Sequence, residues 1–164
     1  MRSTTSVSRT IHASPAAIYR AFMDPEALAR WRAPGNMTAC IHEFDPREGG
    51  IYRMSLTYTD SSQSPGGKTT EDTDSFTGRF LQLVADRKIV ESIEFQSQDP
   101  GFAGMMTMTS VLEPTAEGTR VTILCEDLPP GIRPEDNELG CRLSLENLAR
   151  LVESRVTTPW SQFA

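Results

Sequence analysis

Histidine is scarce in this chain of 164 residues: His12 and His42 are the only two. They are thirty positions apart in the sequence, with no HxxxH and no paired Cys/His spacing, so no transition-metal site is expected. Cysteine is nearly as rare. Cys40, Cys125 and Cys141 are odd in number and far apart in sequence, and they form no CxxC. They are read as reduced, buried thiols with a structural role. Positive charge is short as well. Sixteen Lys and Arg against 22 Asp and Glu leave a formal net charge of −6, which argues against a protein that tracks phosphates along nucleic acid. No apolar run approaches the length of a membrane span. The opening MRSTTSVSRT lacks the hydrophobic stretch of a secretory leader, so a cytoplasmic location is the expectation. The Asn36-Met37-Thr38 sequon therefore carries no expectation of glycosylation. A Gly-x-Ser-x-Gly elbow is missing, which excludes an α/β-hydrolase triad. Gly66-Gly67-Lys68-Thr69 has the ending of a P-loop, but Ser62 stands where the first glycine is needed, so nucleotide binding is not expected. No cofactor is implied.

What remains is the composition of a soluble globular chain: 38% apolar residues and a mean hydropathy of −0.36. The length fits one domain over residues 1–164, with a peripheral tail from about 157. The longest helical pattern runs from Glu135 to about Val156. Cys141, Ser144, Leu145, Leu148, Ala149, Leu151, Val152 and Val156 fall on one stripe roughly 160° wide. Arg142, Glu146, Arg150 and Glu153 fall opposite. Leu139 and Leu143 project away from the stripe, either onto the proline-rich lead-in Leu128–Pro134 or into a dimer contact; packing on the lead-in is the expectation. A helix of this kind needs a large apolar surface to cover.

The rest of the chain reads mostly as strands. Residues 4–12 form the first. Ser14-Pro15 then opens a helix, with Ser as N-cap and Pro in the first turn. Asp24-Pro25 breaks it, and a second short helix covers Glu26 to Trp31. Strands follow at Met37–Phe44, Ile51–Thr59, Thr73–Val84, Lys88–Phe95, Met105–Glu113 and Thr119–Glu126, several of them with period-two alternation, separated by turns and by a polar loop from Asp60 to Glu71. Short connections between consecutive strands imply antiparallel pairing. The expected fold is α+β, an antiparallel sheet with helices on one side.

Tyr52, Met54, Tyr58, Phe76, Phe80, Phe95, Met106 and Met108 share the apolar parity of their strands. Aromatic and methionine side chains suit an adaptable apolar wall. Periodicity allows two readings: these residues fill a core under the long helix, or they line a pocket there with Cys141, Leu145 and Leu148 opposite. Trp31 either closes the helix pair against the sheet or stands at the pocket rim. Glu91 shares parity with Ile89, Ile93 and Phe95. A carboxylate facing inward is costly unless paired. Glu91 is therefore a candidate general acid/base or polar anchor, with Tyr58 as the other candidate catalytic group; the alternative for Glu91 is a bulge or an open strand end that turns it outward. Arg47, Arg53 and Arg79 are read as solvated.

Certain local motifs add to this pattern: Arg9-Thr10-Ile11 with Ala13 and Pro15; Tyr19 and Phe22-Met23-Asp24-Pro25-Glu26; Leu28-Ala29-Arg30-Trp31; Asp45-Pro46-Arg47-Glu48-Gly49-Gly50; Gly118-Thr119-Arg120-Val121-Thr122; and Asn137-Glu138-Leu139-Gly140 followed by Leu145 and Leu148. In this order they resemble the START/Bet v 1-like (SRPBCC) superfamily, and within it the group similar to the Hsp90 ATPase activator homologue. The resemblance implies a helix-grip fold: six or seven antiparallel strands wrapped around the C-terminal helix, two short helices after the first strand, and the first strand beside the last. It also implies an elongated cavity for an apolar or amphipathic small molecule, lipid-like or polyketide-like, which makes ligand binding the leading functional expectation. A cyclase- or hydrolase-type enzyme and an Hsp90-type chaperone cofactor are the alternatives, and either a monomer or a homodimer is compatible. The sequence departs from the group at two places. Cys141 replaces an aromatic residue after the helix glycine, and Arg32 replaces a second tryptophan beside Trp31. Both changes fall at the cavity mouth or lining.

Overall fold

The computed structural model describes residues 2–33, 37–59 and 73–163, the last ten of these as backbone only. The Asp60–Glu71 loop, the P-loop-like Gly66–Thr69 and Asn36 of the sequon lie outside the described residues. Strand β1 (Ser3–Ile11) is followed by helices α1 (Pro15–Met23) and α2 (Pro25–Arg32). Six strands come next: β2 (Met37–Phe44), β3 (Ile51–Tyr58), β4 (Thr73–Val84), β5 (Lys88–Phe95), β6 (Met105–Thr115) and β7 (Gly118–Leu128). Helix α3 (Pro134–Phe163) closes the chain. It extends past the expected end near Val156.

The seven strands form one antiparallel sheet in the order β1-β7-β6-β5-β4-β3-β2. Hairpins account for every neighbour except β1, which returns to pair with β7, as the resemblance implied. The architecture is the helix-grip α+β fold.

Local chemistry explains the boundaries of the two short helices. The Ser14 side chain accepts a hydrogen bond from the Ala17 amide at 3.1 Å and caps α1. Asp24 ends α1 in an extended conformation, and its carboxylate caps α2 by accepting from the Glu26 amide at 3.0 Å. The turn between β2 and β3 depends on Gly49, whose φ of 83° is open to glycine at little cost. The Gly49 amide donates to the Phe80 carbonyl at 2.7 Å, tying this turn to β4 next to the irregularity between Phe80 and Gln82. Beyond that irregularity Leu81 is exposed, whereas Phe76, Gly78 and Phe80 face inward.

One apolar core joins the inner sheet face to all three helices. Ile11, Ile18, Tyr52, Ile89, Val121, Cys125 and Leu148 are among its wholly enclosed members. Each large side chain buried this way contributes roughly 1.5–3 kcal/mol. On α3 the buried residues are Cys141, Ser144, Leu145, Leu148, Ala149 and Val152, with Leu151 of the expected stripe only partly buried. No helix among the described residues is long and apolar enough to cross a membrane.

Candidate functional site

The core does not fill all the space under α3. A cleft of about 730 Å³ lies between the first turns of α3 and the inner faces of β3 to β7. Its apolar walls include Phe22, Trp31, Phe76, Phe95, Phe102, Ile93, Met106, Met108 and Ile123. Helix α3 lines it only from Asp136 to Ser144. From Leu145 onward the helix packs directly on the sheet, with Leu145 and Leu148 fully buried. Leu139 and Leu143 line the same cleft as Gly131 and Ile132 of the lead-in, with Leu139 exposed and Leu143 half-buried. The space continues round the flank of the helix, so residues outside its buried stripe still face the opening.

Seven of the residues singled out from the sequence meet in this cleft: Trp31, Tyr58, Phe76, Phe95, Met106, Met108 and Cys141. Five do not line it. Tyr52, Met54, Phe80, Leu145 and Leu148 are buried behind it. A second groove of about 550 Å³ lies between α2, the start of β2 and α3, lined by small side chains and by Arg30 and Arg150. It is separate from the polar group described next.

That polar group stands at the back of the cleft. Glu91 is inward-facing and 1% exposed, so the outward-turned alternative is not what the fold adopts. The irregularity lies on the neighbouring strand β4, past Phe80, which is Glu91's register partner, and it leaves Glu91 facing in. The carboxylate is satisfied on one side only. Glu91 Oε1 accepts from the Tyr52 hydroxyl at 2.6 Å and from Arg32 Nη2 at 3.3 Å. The same Nη2 approaches the Tyr52 hydroxyl at 3.4 Å and Met108 Sδ at 3.3 Å. Among the described residues, Glu91 Oε2 has no hydrogen-bond partner, and neither does Ser110 Oγ. Burial opposes charge on Arg32, but Glu91 beside it outweighs that, so the guanidinium stays firmly protonated. Burial and then the Glu91 charge push the Tyr52 phenol well above its ordinary range, which leaves it a hydrogen-bond donor. Nearer the rim, burial raises the Tyr58 hydroxyl, helped by Asp74 and Asp136.

Arg32 is held from its backbone outward. It ends α2, where the last carbonyls need donors from outside the helix. Helix α3 supplies them: Ser144 Oγ donates to the Arg32 carbonyl at 3.0 Å, and Asn147 Nδ2 to the Ala33 carbonyl at 2.8 Å. Trp31 is fixed in turn, its indole N–H donating to the Ala21 carbonyl at 2.9 Å and its ring meeting Phe22 edge-on at 4.7 Å. Trp31 thus closes the helix pair and lines the cleft as well.

Sequence reasoning identified Arg32 only as a departure from the resemblance and did not include Ser110. One signal was available. Asp74, Glu91 and Ser110 are polar residues on inward parities of three adjacent strands, and such positions need partners.

Other expectations resolve simply. Among the described residues no cluster of His, Cys, Asp and Glu is arranged to hold a metal. His42 Nε2 lies 2.9 Å from Ser55 Oγ on the outer face, and the His12 ring contacts the Glu117 carbonyl at 3.2 Å. Cys40 is exposed, not buried as read, because it lies with Thr38 and His42 on the outer parity of edge strand β2. Cys125 and Cys141, distant in sequence, face each other with sulfurs 4.0 Å apart. Arg47 and Arg53 form exposed pairs with Asp45 and Glu43, and Arg79 donates to the Gly49 carbonyl at 2.9 Å.

No functionally curated protein sequence matches the chain. Solved structures do. One from Chromobacterium violaceum is 37% identical, with 92% of this chain and 96% of that one covered and a TM-score of 0.81. A protein from Arthrobacter aurescens has 19% identity, coverage of 92% and 86%, and a TM-score of 0.75. An AHSA1-like protein from Aeromonas hydrophila has 22% identity, coverage of 93% and 94%, and a TM-score of 0.69. These last two likenesses concern the fold. The family model described as "Activator of Hsp90 ATPase homolog 1-like protein" matches residues 12–153. With that match over most of its length, the chain belongs to the Activator of Hsp90 ATPase homolog 1-like family.

Proposed function

We propose that this protein binds an apolar or amphipathic small molecule in the cleft beneath the first turns of α3. The observation that carries this reading is a space of about 730 Å³ walled by aromatic and methionine side chains, next to a continuous buried apolar core. Ligand sites are commonly of this size, mostly apolar, with a few convergent polar groups. Affinity would come mainly from apolar area removed from water, at about 25 cal/mol per Å² before ordering costs.

The cleft favours binding over catalysis. Of the two candidate catalytic groups, Tyr58 lines the cleft, whereas Glu91 stands behind Arg32 and Met108 with one oxygen already taken by two donors. A reaction would need a group free to exchange protons with a bound molecule.

Native mass spectrometry of the purified protein tests the reading through a co-purified adduct, and Nile red titration tests it through saturable binding. Gly140 supplies the control. It lines the cleft, and a Cβ there meets no atom within 4 Å. A Gly140→Leu variant should fold and should bind Nile red more weakly. Saturable binding unaffected by this substitution would place the dye elsewhere, and absence of any saturable binding would remove the proposal.

A further inference from the structure

The two unpartnered buried polar atoms, Glu91 Oε2 and Ser110 Oγ, lie on one face of neighbouring strands. Glu91 pairs in register with Met108, and Ser110 is the next residue on that face of β6, about 7 Å along the strand. Ser110 is wholly buried and lines the cleft. Arg32 also lines the cleft, and among the described residues all of its side-chain hydrogen bonds are made through Nη2. Its Nη1 and Nε donors remain. A hydroxyl without a partner and guanidinium N–H groups thus border one apolar space. Buried polar groups of this kind are served by a ligand or by water.

The electrostatics limit what that ligand can be. Arg32 is already neutralised by Glu91. Among the described residues, the other charged groups lining the cleft are Asp74, Arg133 and Asp136. Counted together these are two arginines against three carboxylates, so an anion gains no net attraction. A cation would meet Arg32 at the back of the cleft. An uncharged acceptor fits: it can take an N–H from Arg32 and a hydrogen from Ser110. A hydroxyl can also donate back to Ser110 Oγ. The walls select for the rest of the molecule. Trp31, Phe76, Phe95 and Phe102 offer ring faces and edges, and Met106 and Met108 offer sulfur, contacts that favour a ring over a flexible chain.

We propose that the cleft takes an uncharged ring-bearing molecule with a hydroxyl or carbonyl group, and that Arg32 and Ser110 receive that group. Glu91 and Tyr52 act through Arg32 and position it. This rests on the cleft being a binding site at all, so the test separates the two claims.

Four probes share one ring system and differ in one group: naphthalene, naphthol, naphthoate and naphthylmethylammonium. Each is titrated at neutral pH as a competitor of Nile red on the full-length protein. Naphthol should bind roughly five- to tenfold more tightly than naphthalene, the gain expected from one or two buried hydrogen bonds, and more tightly than either charged probe. In Ser110→Ala the ratio of the naphthalene to the naphthol dissociation constant should fall toward one. Removing Arg32 alone would leave Glu91 buried without its cation, so the second variant is Arg32→Gln combined with Glu91→Gln, which should lower the same ratio. Equal binding of naphthol and naphthalene would overturn the polar recognition while leaving the cleft as a site. So would tighter binding of naphthoate, or a ratio unchanged in both variants. Failure of all four probes to displace Nile red would overturn both claims.

Discussion

The Tyr52 ring lies across Gly78, its register partner on β4, where a Cβ would stand 2.1 Å from the ring. This close approach lets the phenol reach Glu91 on the strand beyond. The ring has little room to move. Phe44, Phe76 and Phe80 surround it at centroid separations of 6.3, 6.3 and 5.3 Å. A Gly78→Ala variant should therefore lose about 1–3 kcal/mol of stability, the usual cost of overpacking a core. The urea midpoint should fall without a change in slope. A midpoint equal to that of the parent protein would show that the ring can shift freely, contrary to its packing.

Arg32 and Glu91 form a buried pair, 7% and 1% exposed as residues. Taking both from water is expensive, and their attraction only partly offsets it. Removal of one partner is worse, because the other is left charged and buried. Glu91→Leu alone should cost about 3–5 kcal/mol, and Arg32→Met combined with Glu91→Leu should recover at least half of that loss. A double-mutant cycle on denaturation free energies measures the coupling. Additive losses would mean that the two charges act independently, against the 3.3 Å contact.

Alternation and caps made most of this fold legible in the sequence. Ser14, Asp24 and the two prolines that follow them mark both short helices, and period-two patterns mark several of the strands, because each signal is local. The pairing of β1 with β7 joins the first strand to the last, and only the family resemblance pointed to it. The site was legible in part, for the same reason. Met106 and Leu145 are both apolar and inward, yet one lines the cleft and the other is core, since the difference depends on where α3 stands off the sheet. Parity flagged Glu91, whereas its partner Arg32 comes from a helix 59 positions away, and nothing in either segment names the other.

Tyr52 also predicts how the protein responds to alkali. Burial and the Glu91 charge raise its folded-state pKa well above 10.0. In the unfolded chain the same phenol ionises near its ordinary value. Above that pH the unfolded state has released a proton that the folded state retains. This contribution to stability is therefore whole below about pH 10 and is lost as pH rises toward the folded-state value. Stability should decline above pH 10 more steeply than in a Tyr52→Phe variant. The chain has three tyrosines, which makes the titration simple to read. Tyr19 and Tyr58 are raised mainly by burial but lie nearer the surface. Tyrosinate absorbance should show two groups titrating in the folded protein and the third only with unfolding. Three groups titrating before unfolding would contradict the buried Tyr52–Glu91 bond.

Thiol chemistry reports on the docking of α3. Cys40 is exposed, while Cys125 and Cys141 face each other across the contact between β7 and α3. The hydrogen bond from Cys141 lowers the Cys125 thiol, and the same bond together with burial raises the Cys141 thiol. Cys125 is wholly enclosed and cannot meet a bulky reagent until the helix lifts, whereas Cys141 also lines the cleft, so an aromatic disulfide reagent should label Cys40 at once, Cys141 more slowly and Cys125 last. Asn137 helps to hold the helix in place, because its side-chain oxygen accepts from Thr5 Oγ1 on β1 and lies 4.0 Å from the Cys141 sulfur. Asn137→Ala removes that acceptor and leaves the Thr5 hydroxyl without it, at a cost of about 1–3 kcal/mol. Cys125 should then react faster, because lifting of the helix is what exposes it. Labelling of Cys125 at the Cys40 rate, or at an unchanged rate in the variant, would show that Asn137 does not hold α3 on the sheet.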